Sequence, residues 1–147
     1  MQENKNKIYI ATLVIFWIIF ALFIITMVNM YLPNLIPYAG YVMSISLWII
    51  LPILGIALII LAAKARFTKI ARAFFILAGA SALGIGAGVV LHNLLYAALT
   101  RIFGEGTWSN MGDEPVFFIL ATIICPLGLL VGAIGSIILI ARKKVRA

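Results

Sequence analysis

One cysteine, one histidine and four acidic residues are all that this 147-residue chain holds of the residue types that most often carry chemistry. Each scarcity excludes something. With Cys125 alone, neither a disulfide nor a two-cysteine redox relay can form within the chain. With His92 alone, imidazoles cannot supply the three or four ligands that zinc usually needs. No Asp or Glu occurs between Asn4 and Gly104, so no pair of intramembrane carboxylates is present to relay protons. Ser44, Ser46, Ser81 and Ser136 lack a histidine and acid at useful spacing for a hydrolytic triad.

What is abundant is apolar surface. The chain is 65% hydrophobic and 10% charged, with a mean hydropathy of +1.23, whereas soluble domains are about 25% charged. So short a chain cannot bury that much apolar surface internally, and the excess must face lipid. The expected fold class is an all-α integral membrane protein, an antiparallel four-transmembrane-helix bundle forming a single domain over residues 1–147.

The spans follow from the uncharged runs. Residues 8–32 form about 37 Å of helix against a hydrocarbon thickness of about 30 Å. That run is too long for a signal peptide and lacks a small-residue cleavage site after it, so it is expected to remain as a helix. Pro33 and Pro37 end it in a short outer turn. The second span is expected at 41–63, with Pro52 near its middle kinking it and Gly55 easing the bend. A basic connector leads to a third span at 70–99, longer than the membrane requires. Residues 100–114 then read as a polar outer loop, and Pro115 opens a fourth span to residue 141.

A net charge of +7 would admit a nucleic-acid partner, but the positions of the charges argue against one. Ten of the eleven basic residues lie in three clusters beside apolar runs: Lys5 and Lys7; Lys64, Arg66, Lys69 and Arg72; Arg142, Lys143, Lys144 and Arg146. With Glu3 they make +9 on one side, while Arg101 with Glu105, Asp113 and Glu114 makes −2 on the other. The positive-inside rule therefore predicts a multi-pass protein of the cell membrane with both termini cytoplasmic. Tyr31, Tyr38, Tyr41, Tyr96 and Trp108 fall near the outer interface, where amphipathic rings are favoured.

Helices in lipid associate through small residues and hydrogen bonds rather than by burying leucine. The third span offers Ala80, Gly84, Gly88 and His92 at intervals of four; the fourth offers Ala121, Cys125, Gly128 and Gly132, with Gly135 and Ser136 extending the stripe. Aligning the span midpoints pairs Ala80 with Gly132, Gly84 with Gly128, Gly88 with Cys125 and His92 with Ala121. The GIGAG run at Gly84–Gly88 has GxGxG rather than GxGxxG spacing and follows no strand, which excludes a dinucleotide loop.

The candidate polar site lies toward the outer end. His92 and Asn93 are costly at bilayer depth unless partnered, for example by Thr122 or a carbonyl across the seam. Asp113, Glu114 and Glu105 could complete a cation site above His92, yet Glu114 should stand about 10 Å higher, and acids before Pro115 also suit a helix N-terminus. Cys125, beside Pro126, is expected to be a buried, inert thiol.

Several membrane families are excluded by missing residues. The first span lacks the embedded glutamate of small multidrug transporters, and the outer loops lack the cysteine pair of claudin-like proteins. The arginine- and asparagine-containing helix motif of glutathione-linked four-helix enzymes is also missing. What remains is an expected non-enzymatic accessory or assembly subunit of a membrane complex, whose partners are the lipid bilayer and a membrane protein or a second copy, with no nucleic acid and no cofactor. The alternatives are a small transporter or channel using the outer polar site, and a metal- or haem-dependent enzyme using His92.

Overall fold

Proline, glycine and one threonine cap punctuate an otherwise helical chain. A computed structural model describes residues 2–31, 49–104, 115–142 and 144–145, and among these it is all-helical with no strand. Helix α1 spans Gln2–Tyr31, α2 spans Leu51–Lys64 and α3 spans Lys69–Phe103. The last rod is compound: α4 (Pro115–Ile119), a π-helical turn (Leu120–Ile124) and α5 (Cys125–Ala141).

Three of these four rods are long and apolar enough to cross a membrane, through Asn6–Val28, Lys69–Phe103 and Val116–Ala141. The exception is α2, whose 14 residues reach only about 21 Å. Residues 41–48 of the expected second span lie outside the described residues, as do the outer turn through Pro33 and Pro37 and residues 105–114 of the outer loop.

Two boundaries differ from expectation. Helix α1 begins at Gln2 rather than residue 8, since nothing in the polar start breaks a helix and a Lys7–Glu3 pair at 2.9 Å lies one turn apart on its surface. Helix α3 runs to Phe103 rather than residue 99. Its stop is Gly104, whose φ of 79° suits glycine and whose N–H donates to Thr100 O. At the other end Thr68 caps α3, its hydroxyl oxygen accepting from the Ala71 N–H at 3.3 Å.

Pro52 and Pro126 are accommodated in the same way. Proline offers no N–H to the helix ladder, and the backbone just before it widens into a π turn. Such a turn occupies Leu120–Ile124 ahead of Pro126, with the Cys125 N–H reaching back to Leu120 O. Ile49 and Ile50 form part of another ahead of Pro52.

The arrangement centres on α3. It packs as extensively on α2 as on α5, whereas α1 leans mainly on α2 and only lightly on α3. In its most apolar window 44% of α3 is buried, against 22% for α1 and 28% for the last rod, so α1 is the peripheral element.

An aromatic ladder ties α1 to the start of α3. Tyr9 meets Phe67 at 5.4 Å between ring centroids, Phe67 stacks on Phe75 at 4.7 Å, and Phe75 meets Phe16 edge-on at 5.2 Å. The C-terminal tail returns to the same place. Thr68 N–H donates to Val145 O at 3.0 Å and the Thr68 hydroxyl to Lys144 O at 3.3 Å, while Val145 is buried. The connector, the tail at Lys144–Val145 and the first turns of α1 thus meet at one end of the molecule, because these segments are bonded or packed together.

Candidate functional site

Glycine rows on α3 decide how closely its neighbours approach. On the α5 side, a Cβ placed on Gly132 would stand 2.7 Å from Ala78 N; on Gly128, 2.5 Å from Ser81 Oγ; on Gly84, 2.5 Å from Cys125 Sγ; on Gly88, 2.9 Å from Ala121 Cβ. Gly135 lies under the ring of Phe74. Residue numbers rise along α3 as they fall along α5. Ala121, Cys125, Gly128 and Gly132 therefore all face α3.

The register differs from the midpoint alignment by about one helical turn. Gly84 meets Cys125 instead of Gly128, Gly88 meets Ala121 instead of Cys125, and Gly132 meets Ala78 instead of Ala80. Midpoint alignment assumes spans of similar length centred at one depth, whereas α3 has 35 residues and overhangs. Ala80 is exposed and lies off the seam. The reason is rotational: a step of four residues turns a helix by about 400°, so an every-fourth-residue row drifts by about 40° per step and leaves the contact face within three steps. The contacting row Ala78, Ser81, Gly84 and Gly88 mixes steps of three and four and stays on it.

A second glycine contact joins α2 to α3. A Cβ on Gly55 would stand 2.6 Å from Gly79 O, and one on Gly79 would stand 2.9 Å from Gly55 O. Gly55 thus serves close approach of two backbones rather than the bend expected from its position near Pro52. On α3 the small pair Gly79 and Ala82, three residues apart, is the sequence signal that would have revealed this side.

Toward the C-terminal end of α3 the described polar residues are engaged in different ways. His92 is half-buried, its ring 5.7 Å from that of Phe118 rather than beside Ala121. Asn93 is exposed, and its amide donates to Val89 O on its own helix at 2.8 Å. Thr122 donates to Phe118 O at 2.6 Å, so its hydroxyl proton is committed within its own rod. Cys125 sits at the level of Gly84, eight residues or about 12 Å along α3 from His92. Glu105, Asp113 and Glu114 lie outside the described residues. Among the described residues no three of His, Cys, Asp and Glu lie close enough to hold a metal ion.

A shared habit links four of the polar side chains. Thr12, Asn93, Thr100 and Thr122 each donate to the carbonyl four residues back, which satisfies the group without a partner helix. Thr26 and Ser136 are buried, and their hydroxyls have no partner among the described residues.

Fold and site together define an all-helical chain with three helices fit to cross a membrane and a small-residue seam on each side of the longest. No protein-family profile fits the chain, and neither curated sequences nor solved structures give a significant match.

Proposed function

We propose that this chain is a multi-pass protein of the cell membrane, an antiparallel bundle of four transmembrane helices with both termini cytoplasmic, serving as a non-enzymatic accessory or assembly subunit of a membrane complex. The observation that carries this reading is the direct backbone and side-chain contact along both sides of α3. Seams closed at Gly55–Gly79, Ala78–Gly132 and Gly84–Cys125 make a rigid element to pack against, not a lined passage. The self-bonded Asn93, Thr100 and Thr122 agree with this, since side chains satisfied by their own helix offer little to a translocated solute. Orientation is supported by the meeting at one end of the connector, the tail and the first turns of α1, basic segments that the positive-inside rule assigns to the cytoplasm.

The test is purification from native membranes in a mild detergent, followed by quantification of co-purifying chains. A stoichiometric membrane partner, recovered with the folded chain, is the expected result. Recovery of the chain without a partner from every mild detergent would sink the assignment.

A second reading, a small transporter or channel, draws on one observation. Wide π turns precede both Pro52 and Pro126, and such turns recur at functional sites and can act as hinges. Solute or ion flux in proteoliposomes that Pro126→Ala abolishes would favour it over the subunit role.

A further inference from the structure

The end at which the connector and the tail meet has an organisation that charge counting does not reveal. Two short non-helical stretches are joined there through Thr68: the connector between α2 and α3, and the tail at Lys144–Val145. In the connector Phe67 turns inward, 2% exposed, and Arg66 turns out; in the tail Val145 turns inward, 3% exposed, and Lys144 turns out. Lys69, also exposed, follows at the first position of α3. The strap that anchors the tail therefore gathers three outward cations around one backbone pairing.

These cations have no acidic partner among the described residues, where the only ion pair is Lys7–Glu3. The first turn of α3 carries no acid either, although the positive end of a helix dipole lies there. Positive charge is thus concentrated on positive charge. Behind Arg72 the same holds: its Nη2 donates to Ala65 O at 3.3 Å and its Nε is buried without a partner. Toward the membrane, the exposed side of α3 next to Lys69 becomes apolar at once, through Ile70, Ala73 and Leu77.

We infer that Arg66, Lys69 and Lys144 form a binding site for the phosphate headgroup of an anionic phospholipid, with an acyl chain lying along Ile70, Ala73 and Leu77. A lipid is the occupant that matches both halves, since cations meet apolar helix within one residue and a soluble anion would use only the first half. The inference requires that the chain sit in a bilayer; it does not require a protein partner, so it stands or falls separately from the subunit role.

Cys125 supplies the assay, because the only thiol of the chain is buried and reacts with a fluorogenic maleimide when heating opens the seam. The purified full chain in neutral detergent is heated with phosphatidylglycerol, with phosphatidylcholine or with inorganic phosphate at equal phosphate concentration. Phosphatidylglycerol should raise the midpoint by about 5 °C, and the other two should leave it nearly unchanged. R66Q/K69Q should keep its lipid-free midpoint and lose the rise, whereas the charge-matched control K5Q/K7Q should keep the rise. If R66Q/K69Q lowers the lipid-free midpoint, K144Q takes its place, because Lys144 contributes only its backbone to the strap. Equal rises with the two lipids, a rise reproduced by inorganic phosphate, or equal losses in R66Q/K69Q and K5Q/K7Q would each overturn the site. So would a full rise in R66Q/K69Q.

Discussion

The two halves of α3 share one unbroken helix and have opposite surroundings. From Ala71 to Gly88 the helix contributes nine buried residues, whereas beyond Gly88, through Val89 to Phe103, it contributes none. Hydrophobicity does not separate them, because Leu91, Leu94, Tyr96, Ile102 and Phe103 are apolar and exposed. Residue size does. The N-terminal half carries Gly79, Gly84, Gly86 and Gly88 among alanines, and two neighbouring helices close on it; the C-terminal half has no glycine before Gly104. Where lipid is the solvent, leucine gains little by moving from hydrocarbon to protein, so shape complementarity decides which surface is covered.

The largest effect should come from adding bulk where glycine meets backbone, which cannot move aside. Gly55→Ile and Gly132→Ile would drive side chains against Gly79 O and Ala78 N, at a cost of about 3 kcal/mol or more, and should leave little folded chain in detergent by size-exclusion chromatography. Next comes the strap. Val145→Asp places a charge in a site that is 3% exposed and should lower stability by about 2 kcal/mol, read from the Cys125 thiol-reactivity midpoint.

Smaller effects sharpen the contrast between backbone-facing and side-chain-facing glycines. Gly84→Ala would meet only the Cys125 thiol, so it should cost about 1 kcal/mol, and most of that should vanish in the Gly84→Ala/Cys125→Ala double variant when unfolding is followed by tryptophan fluorescence. In the opposite direction, Ser136→Ala removes a buried hydroxyl that has no partner among the described residues and should raise stability by about 1 kcal/mol in the same assay. Smallest of all, Leu94→Ala on the exposed C-terminal half should change stability by less than about 0.5 kcal/mol; a loss above about 2 kcal/mol would mean that this half is covered in the folded protein.

The register has its own decisive test. Oxidation should join Gly84→Cys to the native Cys125, whereas Gly88→Cys, the partner that midpoint alignment would choose, should remain reduced by mass spectrometry.

Legibility in the sequence followed the length scale of each feature. Uncharged runs marked three long helices because a membrane-crossing helix requires some twenty consecutive apolar residues, and few other structures do. On the last rod, Ala121, Cys125, Gly128 and Gly132 were legible as one face because their spacing of four, three and four tracks the helical repeat. Ala80 was misassigned where a uniform step of four was allowed to run on. The Gly55–Gly79 contact was hidden by Pro52, which offered a ready local explanation for a nearby glycine. The tail at Lys144–Val145 left no local mark at all, since a single valine among cations becomes meaningful only when Phe67 and Ala65 are found buried near it.

By itself the sequence determined that this chain is helical and suited to lipid, and which stretches beside the apolar runs carry positive charge, because these properties arise from composition within a few turns. Tertiary structure alone decided which turn of α3 meets which turn of α5, that α2 docks as closely as α5 does, and that the tail straps the basic end together. A periodic row of small residues looks the same after sliding by one turn. Only the fit of Gly132 against Ala78, of Gly84 against Cys125 and of Gly55 against Gly79, all satisfied at once, removes that freedom.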